Sequence, residues 1–300
     1  VSIQIRQYQS PQDFESVGNF LIDTYKPGEK PANWLQPRWE YMHFHPYLPK
    51  SELHKIGIWE DAENIVGVVH FEFRMGEVYF EIHPDYKHLK SDMLEYAETR
   101  LCAKLANQRR YLKVFINDFD LEFEAIAKSR GYKKATHLPD YTSIFKIVRP
   151  FPEINLPKGF ILKSLADDNN LKKINRVLHR GFNHPGEPPD TEIEFRRKMQ
   201  SAPNFKKDLN IVIEAPNEDF VSYSGIWFEA VNKIASVEPV ATDPDYRFMG
   251  LSKAAVLECV RRVGELGATI VYVGSGQAFY EAIGFSKLFA YFPWIKYFEL

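Results

Sequence analysis

Cysteine is nearly absent: the chain of 300 residues holds two, Cys102 and Cys259. They are too few and too far apart for a disulfide framework or a cysteine zinc site. Both read as small apolar residues buried in periodic segments. An excess of charge of one sign is also missing. Lys and Arg number 38 against 40 Asp and Glu, a formal net charge of −2. That excludes a generally basic nucleic-acid binder, because phosphate neutralisation needs clustered cations. Local pairs such as Arg109-Arg110 and Arg196-Arg197 read as solvated helix faces. Long hydrophobic runs are lacking too. The longest uncharged stretch, residues 266–280, contains Gly267, Gly274 and Gly276. It falls short of the ~18–20 apolar residues of a membrane span. The first six residues alternate as a strand does and have no signal-peptide anatomy. A cytoplasmic protein with no nucleic-acid and no membrane partner is the expectation. The histidines are scattered: His43 and His45 would share a strand face, and His83 and His88 flank a turn. Neither pair has cysteines or carboxylates at ligand spacing, so no metal is expected.

What is present is an ordinary globular composition, 45% hydrophobic and 26% charged, with aromatics at 15%. The length suits two domains at ~100–200 residues each. The clearest boundary is residues 148–159, where Pro150, Pro152, Pro157 and Gly159 exclude a helix or a central strand. This gives a first domain over 1–149, a linker over 150–158 and a second domain over 159–300. The halves rhyme. Each opens with a strand and a helix (3–6 then 13–25; 160–163 then 169–182), followed by a proline-rich loop. Strand-like runs come next: 56–59, 66–73 and 78–82 in the first half; 209–213, 221–228 and 234–240 in the second. His83-Pro84-Asp85-Tyr86-Lys87 then matches Asp243-Pro244-Asp245-Tyr246-Arg247. A long helix, a strand (111–116; 269–273), a short helix and a final aromatic strand complete each half. A shared Pro-Asp-Tyr-basic tetrapeptide in register with its surroundings points to two copies of one α/β domain.

Chemistry concentrates after the second tetrapeptide. A strand ends at Asp243-Pro244, and a polar loop runs into a helix with apolar Val256, Val260 and Val263 at helical spacing. Arg247-x-x-Gly250-x-Ser252 therefore sits at a helix N-terminus, where unpaired N–H groups and the helix dipole favour an anion. Two other phosphate motifs fail. A Walker loop needs Gly-Lys-Ser/Thr with a Gly five residues before, but Ser252 separates Gly250 from Lys253 and position 245 is Asp. Gly274-Ser275-Gly276 opens like a dinucleotide fingerprint, but its third Gly would be Phe279 and too little chain follows. A nicotinamide enzyme is therefore set aside.

At this point the sequence resembles the GNAT N-acetyltransferase superfamily. Arg247-Phe248-Met249-Gly250-Leu251-Ser252 is similar to the acyl-CoA pyrophosphate loop, Gln/Arg-x-x-Gly-x-Gly/Ala. The run from Glu238 to Arg247 resembles the strand that feeds it. Ala278-Phe279-Tyr280-Glu281-Ala282-Ile283-Gly284-Phe285 resembles the helix reading Ala-x-x-x-Tyr-Glu-x-x-Gly-Phe. The resemblance implies two tandem domains, each a mixed, mostly antiparallel sheet flanked by helices. In the first half the loop reads Lys87-His88-Leu89-Lys90-Ser91-Asp92, without glycine, so that half resembles a degenerate copy that lost the cofactor.

The resemblance further implies acetyl-CoA as cosubstrate, held by the backbone of Val240, Ala241 and Thr242 and by Arg247, Phe248, Met249, Gly250, Leu251, Ser252 and Lys253. Ser275 or Gln277 would replace an Asn that many members carry. An alkylamine is protonated at neutral pH and must lose a proton before attack. Glu238 is the candidate base by its strand position, directly or through a water. Tyr280 is the candidate acid for the leaving thiolate. The acceptor would meet His184 and Glu187 in one loop and Tyr291 and Trp294 in the final strand, while Trp227 reads as core. The leading expectation is an N-acetyltransferase acting on a primary amine of a small molecule. The alternative is a non-catalytic acyl-CoA-binding sensor or interaction protein. Homodimerisation is left open.

Overall fold

The alternating and fully apolar runs of the first half form its strands, and the segments of helical period form its helices. The computed structural model describes residues 3–299. In chain order, β1 (Gln4–Gln7), α1 (Gln12–Thr24), α2 (Gln36–Phe44), β2 (Gly57–Asp61), β3 (Asn64–Phe71) and β4 (Glu77–Ile82) come first. Then follow α3 (Lys90–Arg100), β5 (Ala103–Lys104), β6 (Arg110–Asn117), α4 (Leu121–Ser129), β7 (Lys133–Lys134) and β8 (Asp140–Lys146). The second half gives β9 (Ile161–Ser164), α5 (Leu171–Gly181), α6 (Ile193–Gln200), β10 (Ile211–Glu214), β11 (Phe220–Glu229) and β12 (Ile234–Thr242). It closes with α7 (Leu251–Glu265), β13 (Ile270–Val273), α8 (Ala278–Ala282) and β14 (Ser286–Tyr297).

Two compact units result. One takes the chain up to His43, Tyr47–Thr142 and the residues from Lys287 on; the other takes Phe44–Pro46 and Ser143–Ser286. The sheet of the first unit runs β1-β2-β3-β4-β6-β14, with β4 and β6 parallel and the other neighbours antiparallel. The second unit repeats the pattern as β9-β10-β11-β12-β13-β8, with β12 and β13 parallel. Each is the mixed, mostly antiparallel sheet that the resemblance implies. The sixth strand of each sheet is the last strand of the other half of the sequence. β14 pairs with β6 from Tyr291–Asn117 to Tyr297–Tyr111. Ser143–Lys146 of β8 pairs with β13.

The limits of the units differ from a cut at 150–158. That proline-rich stretch lies inside the second unit, because Phe151, Ile154 and Leu156 pack against its core. The central strand β11 is buried along its whole length. Ile211 and Ile213 of β10 pack in one cluster with α7, while Val212 packs in another with Ile174, Val177 and Leu178 of α5. Since successive strand residues point to opposite faces, α7 and α5 cover opposite sides of this sheet.

Some local expectations change. His43 sits on α2, with Nδ1 2.9 Å from the Trp39 carbonyl, and shares no strand face with His45. Cys259 is buried as expected, but Cys102 is half-buried, and both are free thiols. Among the described residues, no group of three or more His, Cys, Asp or Glu side chains is placed to hold a metal ion. No helix among them is long and apolar enough to cross a membrane.

Candidate active site

The site begins where β12 leaves β13. Their parallel ladder covers Ile234–Ile270, Ala235–Val271 and Ser236–Tyr272 and then stops. On its other side β12 stays paired with β11 as far as Ser222–Thr242. Among the described residues, the β12–β13 ladder therefore does not extend over Val237 to Thr242. A bulge between Ser224 and Ile226 re-aims β12 at this point. Gly225 makes the bulge possible: a Cβ there would sit 2.7 Å from the Glu238 carbonyl oxygen and 2.7 Å from Asn210 Oδ1.

Glu238 lies half-buried in the stretch that β13 leaves open. Trp227 Nε1 donates to its carbonyl oxygen at 2.9 Å, which fixes the strand from below. Tyr280, on α8, is 8% exposed and packs edge-on against Phe279 and Phe285. Burial, and then the negative charge of Glu238, push its hydroxyl up to about 12. It therefore keeps its proton at neutral pH and can donate it. The Tyr280 hydroxyl is thus close enough to Glu238 to feel its charge.

β12 ends in a tight turn. Asp243 accepts from Asp245 N at 3.1 Å. Its carboxylate is almost wholly buried, which alone would raise its pKa, but bonds from Arg180 hold it below the usual range. The loop then climbs through Phe248 at φ +64° and Gly250 at φ +80°. A Cβ at Gly250 would meet nothing within 4 Å, so glycine is needed there for its left-handed backbone and not for space. α7 starts at Leu251 with no side-chain cap. The N–H groups of its first turn thus have no side-chain cap at the positive end of a 15-residue helix. Ser252 Oγ bonds to Thr242 Oγ1, which bonds to Ser222 Oγ at 3.0 Å. This chain of hydroxyls ties the start of α7 to the end of β12. Phe248, Met249 and Lys253 are exposed.

The other named residues divide. Ser275 lies in the segment between β13 and α8, its carbonyl accepting from Ser143 Oγ at 2.6 Å. Gln277, exposed, stands at the N-cap position of α8 without a side-chain capping bond. His184 and Glu187 line a cleft of about 350 Å³ with Arg180, Asn183, Gly186 and Pro244. Tyr291 and Trp294 lie elsewhere, on β14 in the first unit. Trp294 is buried in the core of that unit. Tyr291 faces Arg38, whose guanidinium stacks on Trp34 at 3.8 Å and pairs with Glu72. Trp227 is core, as its apolar strand suggests. The sequence reading missed Arg180 and Asn183; nothing in their spacing marks them.

The first unit keeps the outline of this arrangement without its contents. Its β4–β6 ladder covers only Glu77–Lys113 and Val78–Val114. Just beyond, Tyr79 and Phe115 stack at 4.7 Å with planes 7° apart. α3 follows Leu89 rather than a left-handed glycine. Lys90 at its start is 4% exposed, its ammonium bound to Asp120 at 2.7 Å and Glu122 at 3.0 Å.

No protein-family profile and no curated protein sequence matches the chain. Solved structures do. A tandem GNAT protein from the clavulanic acid biosynthesis pathway superposes with a TM-score of 0.66 at 13% identity, over 99% of this chain and 98% of that one. The chain has a tandem GNAT fold. A GCN5-related N-acetyltransferase from Sphaerobacter thermophilus gives 0.65 at 13% identity, over 98% and 95% of the two chains. N-myristoyltransferase from Saccharomyces cerevisiae, solved with bound myristoyl-CoA, gives 0.54 at 10% identity over 98% and 78%. At these identities the likeness is one of fold. Within the GNAT fold, the splayed strand, the α7 that follows left-handed Gly250 and the short α8 of the second unit are the elements that carry the sequence motifs.

Proposed function

We propose that the second unit binds acyl-CoA and transfers an acetyl group to a primary amine of a small molecule. One observation carries the reading: the β12–β13 ladder ends at Ser236, and beyond it come Glu238, whose charge reaches the Tyr280 hydroxyl, and then the start of α7 without a side-chain cap. The GNAT fold, and the myristoyl-CoA bound to one protein that shares it, support an acyl-CoA thioester as the donor.

The N–H groups of residues 250–253 would hold the pyrophosphate, and the open edge of Val240, Ala241 and Thr242 the pantetheine arm. A donor N–H aimed at the thioester carbonyl stabilises the oxyanion that forms when the amine attacks. Glu238 removes a proton from the amine, directly or through one water. Tyr280 then delivers a proton to the departing thiolate. Ser275 and Gln277 border the arm, and His184 and Glu187 supply polar contacts for the acceptor. Tyr291 and Trp294 contribute to the first unit instead. The first unit binds no coenzyme on this reading: the Tyr79 and Phe115 rings stack where its β4–β6 ladder ends, and its helix start lacks the glycine.

Thermal shift and calorimetry with acetyl-CoA, CoA and NAD, followed by a thiol-release assay across an amine panel, test the proposal. Stabilisation by acetyl-CoA, none by NAD and release of thiol with at least one amine is the expected result. Binding without turnover of any amine would favour a sensor over an enzyme.

A further inference from the structure

Arg247 opens the anion loop, yet its hydrogen bonds run the other way. Nε donates to the Thr242 carbonyl at 3.3 Å. Nη2 donates to the Gly181 carbonyl at 3.0 Å and to Asn183 Oδ1 at 2.8 Å. One side chain thus spans from the end of β12 to the end of α5. Gly181 closes α5, and the last carbonyls of a helix lack partners within it and carry its negative dipole end. A guanidinium is a good match for that position, because its planar fork serves several acceptors at once. Turning it toward a phosphate would strip the Gly181 carbonyl and the Asn183 amide of their donor.

The residues it holds are walls of the cleft. Asn183 stands at φ +61°, with its N–H on the Arg180 carbonyl at 2.9 Å, and the His184 N–H follows on the His179 carbonyl at 3.1 Å. A second arginine ties the same two segments from the opposite direction. Arg180 reaches Asp243 through Nε at 2.5 Å and Nη2 at 2.9 Å, and Asp245 at 2.6 Å. Cleft wall and anion loop are therefore fastened together by two crossed arginines.

We infer that Arg247 is a positioning residue for the acceptor loop, not a ligand of the coenzyme phosphates. It fixes Asn183 and His184, and through them the cleft that admits the amine, while the backbone N–H groups at the start of α7 serve the anion without it. The inference rests on the acyl-CoA reading above.

Arg247→Gln and Asn183→Ala in the full chain test it. In both, the amides of Phe182, Asn183 and His184 exchange with deuterium at least about tenfold faster than in the wild type. Acetyl-CoA Kd stays within about twofold, and KM for the best amine of the panel rises about tenfold or more while kcat stays within about threefold. A phosphate ligand would give the reverse in Arg247→Gln: acetyl-CoA Kd weakened about tenfold or more, with loop exchange and amine KM unchanged. Unchanged loop exchange, unchanged amine KM or weakened acetyl-CoA binding each overturns the inference. A wild type that binds no acetyl-CoA, or turns over no amine, overturns the functional proposal instead. Loop exchange then still decides whether Arg247 is the fastening.

Discussion

Tyr280 shows how a single side chain acquires its chemistry from its surroundings. Burial and the nearby Glu238 charge push its hydroxyl up to about 12, so the phenol persists where an exposed tyrosine would begin to ionise. Tyr280→Phe is expected to lower kcat by about 10²-fold, at the lower end of general acid contributions, with acetyl-CoA affinity unchanged in calorimetry. Unchanged turnover would remove Tyr280 from the mechanism. Gly225 makes a complementary case for the backbone. The two oxygens 2.7 Å from its absent Cβ leave no room for a methyl group. Gly225→Ala is expected to cost roughly 1–3 kcal/mol in urea unfolding, in the range of overpacked sites. The motif residues Gly250, Glu238 and Tyr280 were legible as candidates in the sequence because each belongs to a spaced pattern. Gly225 was not, because its constraint comes from a carbonyl that only the paired strand brings near.

At the scale of elements, the strands and helices that hydrophobic period bounded fall within a residue or two of the observed ones, while α2, which carries His43, was read as strand. The helix read over 13–25 forms over Gln12–Thr24, and the strand read over 221–228 forms over Phe220–Glu229. Pairing was less legible. Two aromatic strands, 140–146 and 286–297, look alike in sequence, and nothing local says which sheet each joins. The packing decides: Trp294 enters the first core with Trp39 and Trp59, and Phe145 enters the second with Phe285. Trp294→Ala should therefore cost roughly 3–5 kcal/mol, as large-to-small core changes do. The loss should appear as faster amide exchange in β6, on which β14 is paired, rather than in β13. A further consequence concerns His45, in the short segment Phe44–Pro46 that packs with the second unit. Burial, then the charges of Arg196 and Lys198, lower its pKa from 6.5 to about 4. The unfolded chain takes up this proton below 6.5 and the folded chain does not until about 4, so stability falls as pH drops between them. His45→Gln should flatten that part of the urea midpoint against pH; an unaltered slope would assign it to other groups.

For the whole molecule, the repeat visible in the sequence proves to be a repeat of sheet order: four antiparallel strands, a parallel fifth and an antiparallel sixth in each unit. One copy has an uncapped helix behind a left-handed glycine; the other has stacked rings and a lysine held by two carboxylates. A near-neutral chain can still bind a highly charged coenzyme if backbone N–H groups at one helix start do the work, and Arg247 is free to serve the neighbouring loop. The most direct test of this account is calorimetry of acetyl-CoA against the wild type and Gly250→Glu. The side chain added there enters open space but must take the left-handed backbone at φ +80°, a strain of about 1–2 kcal/mol, so an unchanged amide-exchange pattern in β11, β12 and α7 is required to show that the fold survives. The account predicts saturable binding by the wild type and a loss of about 100-fold or more in the variant, where a carboxylate faces the phosphates. Equal affinity in the two proteins, or no binding by the wild type, would contradict it.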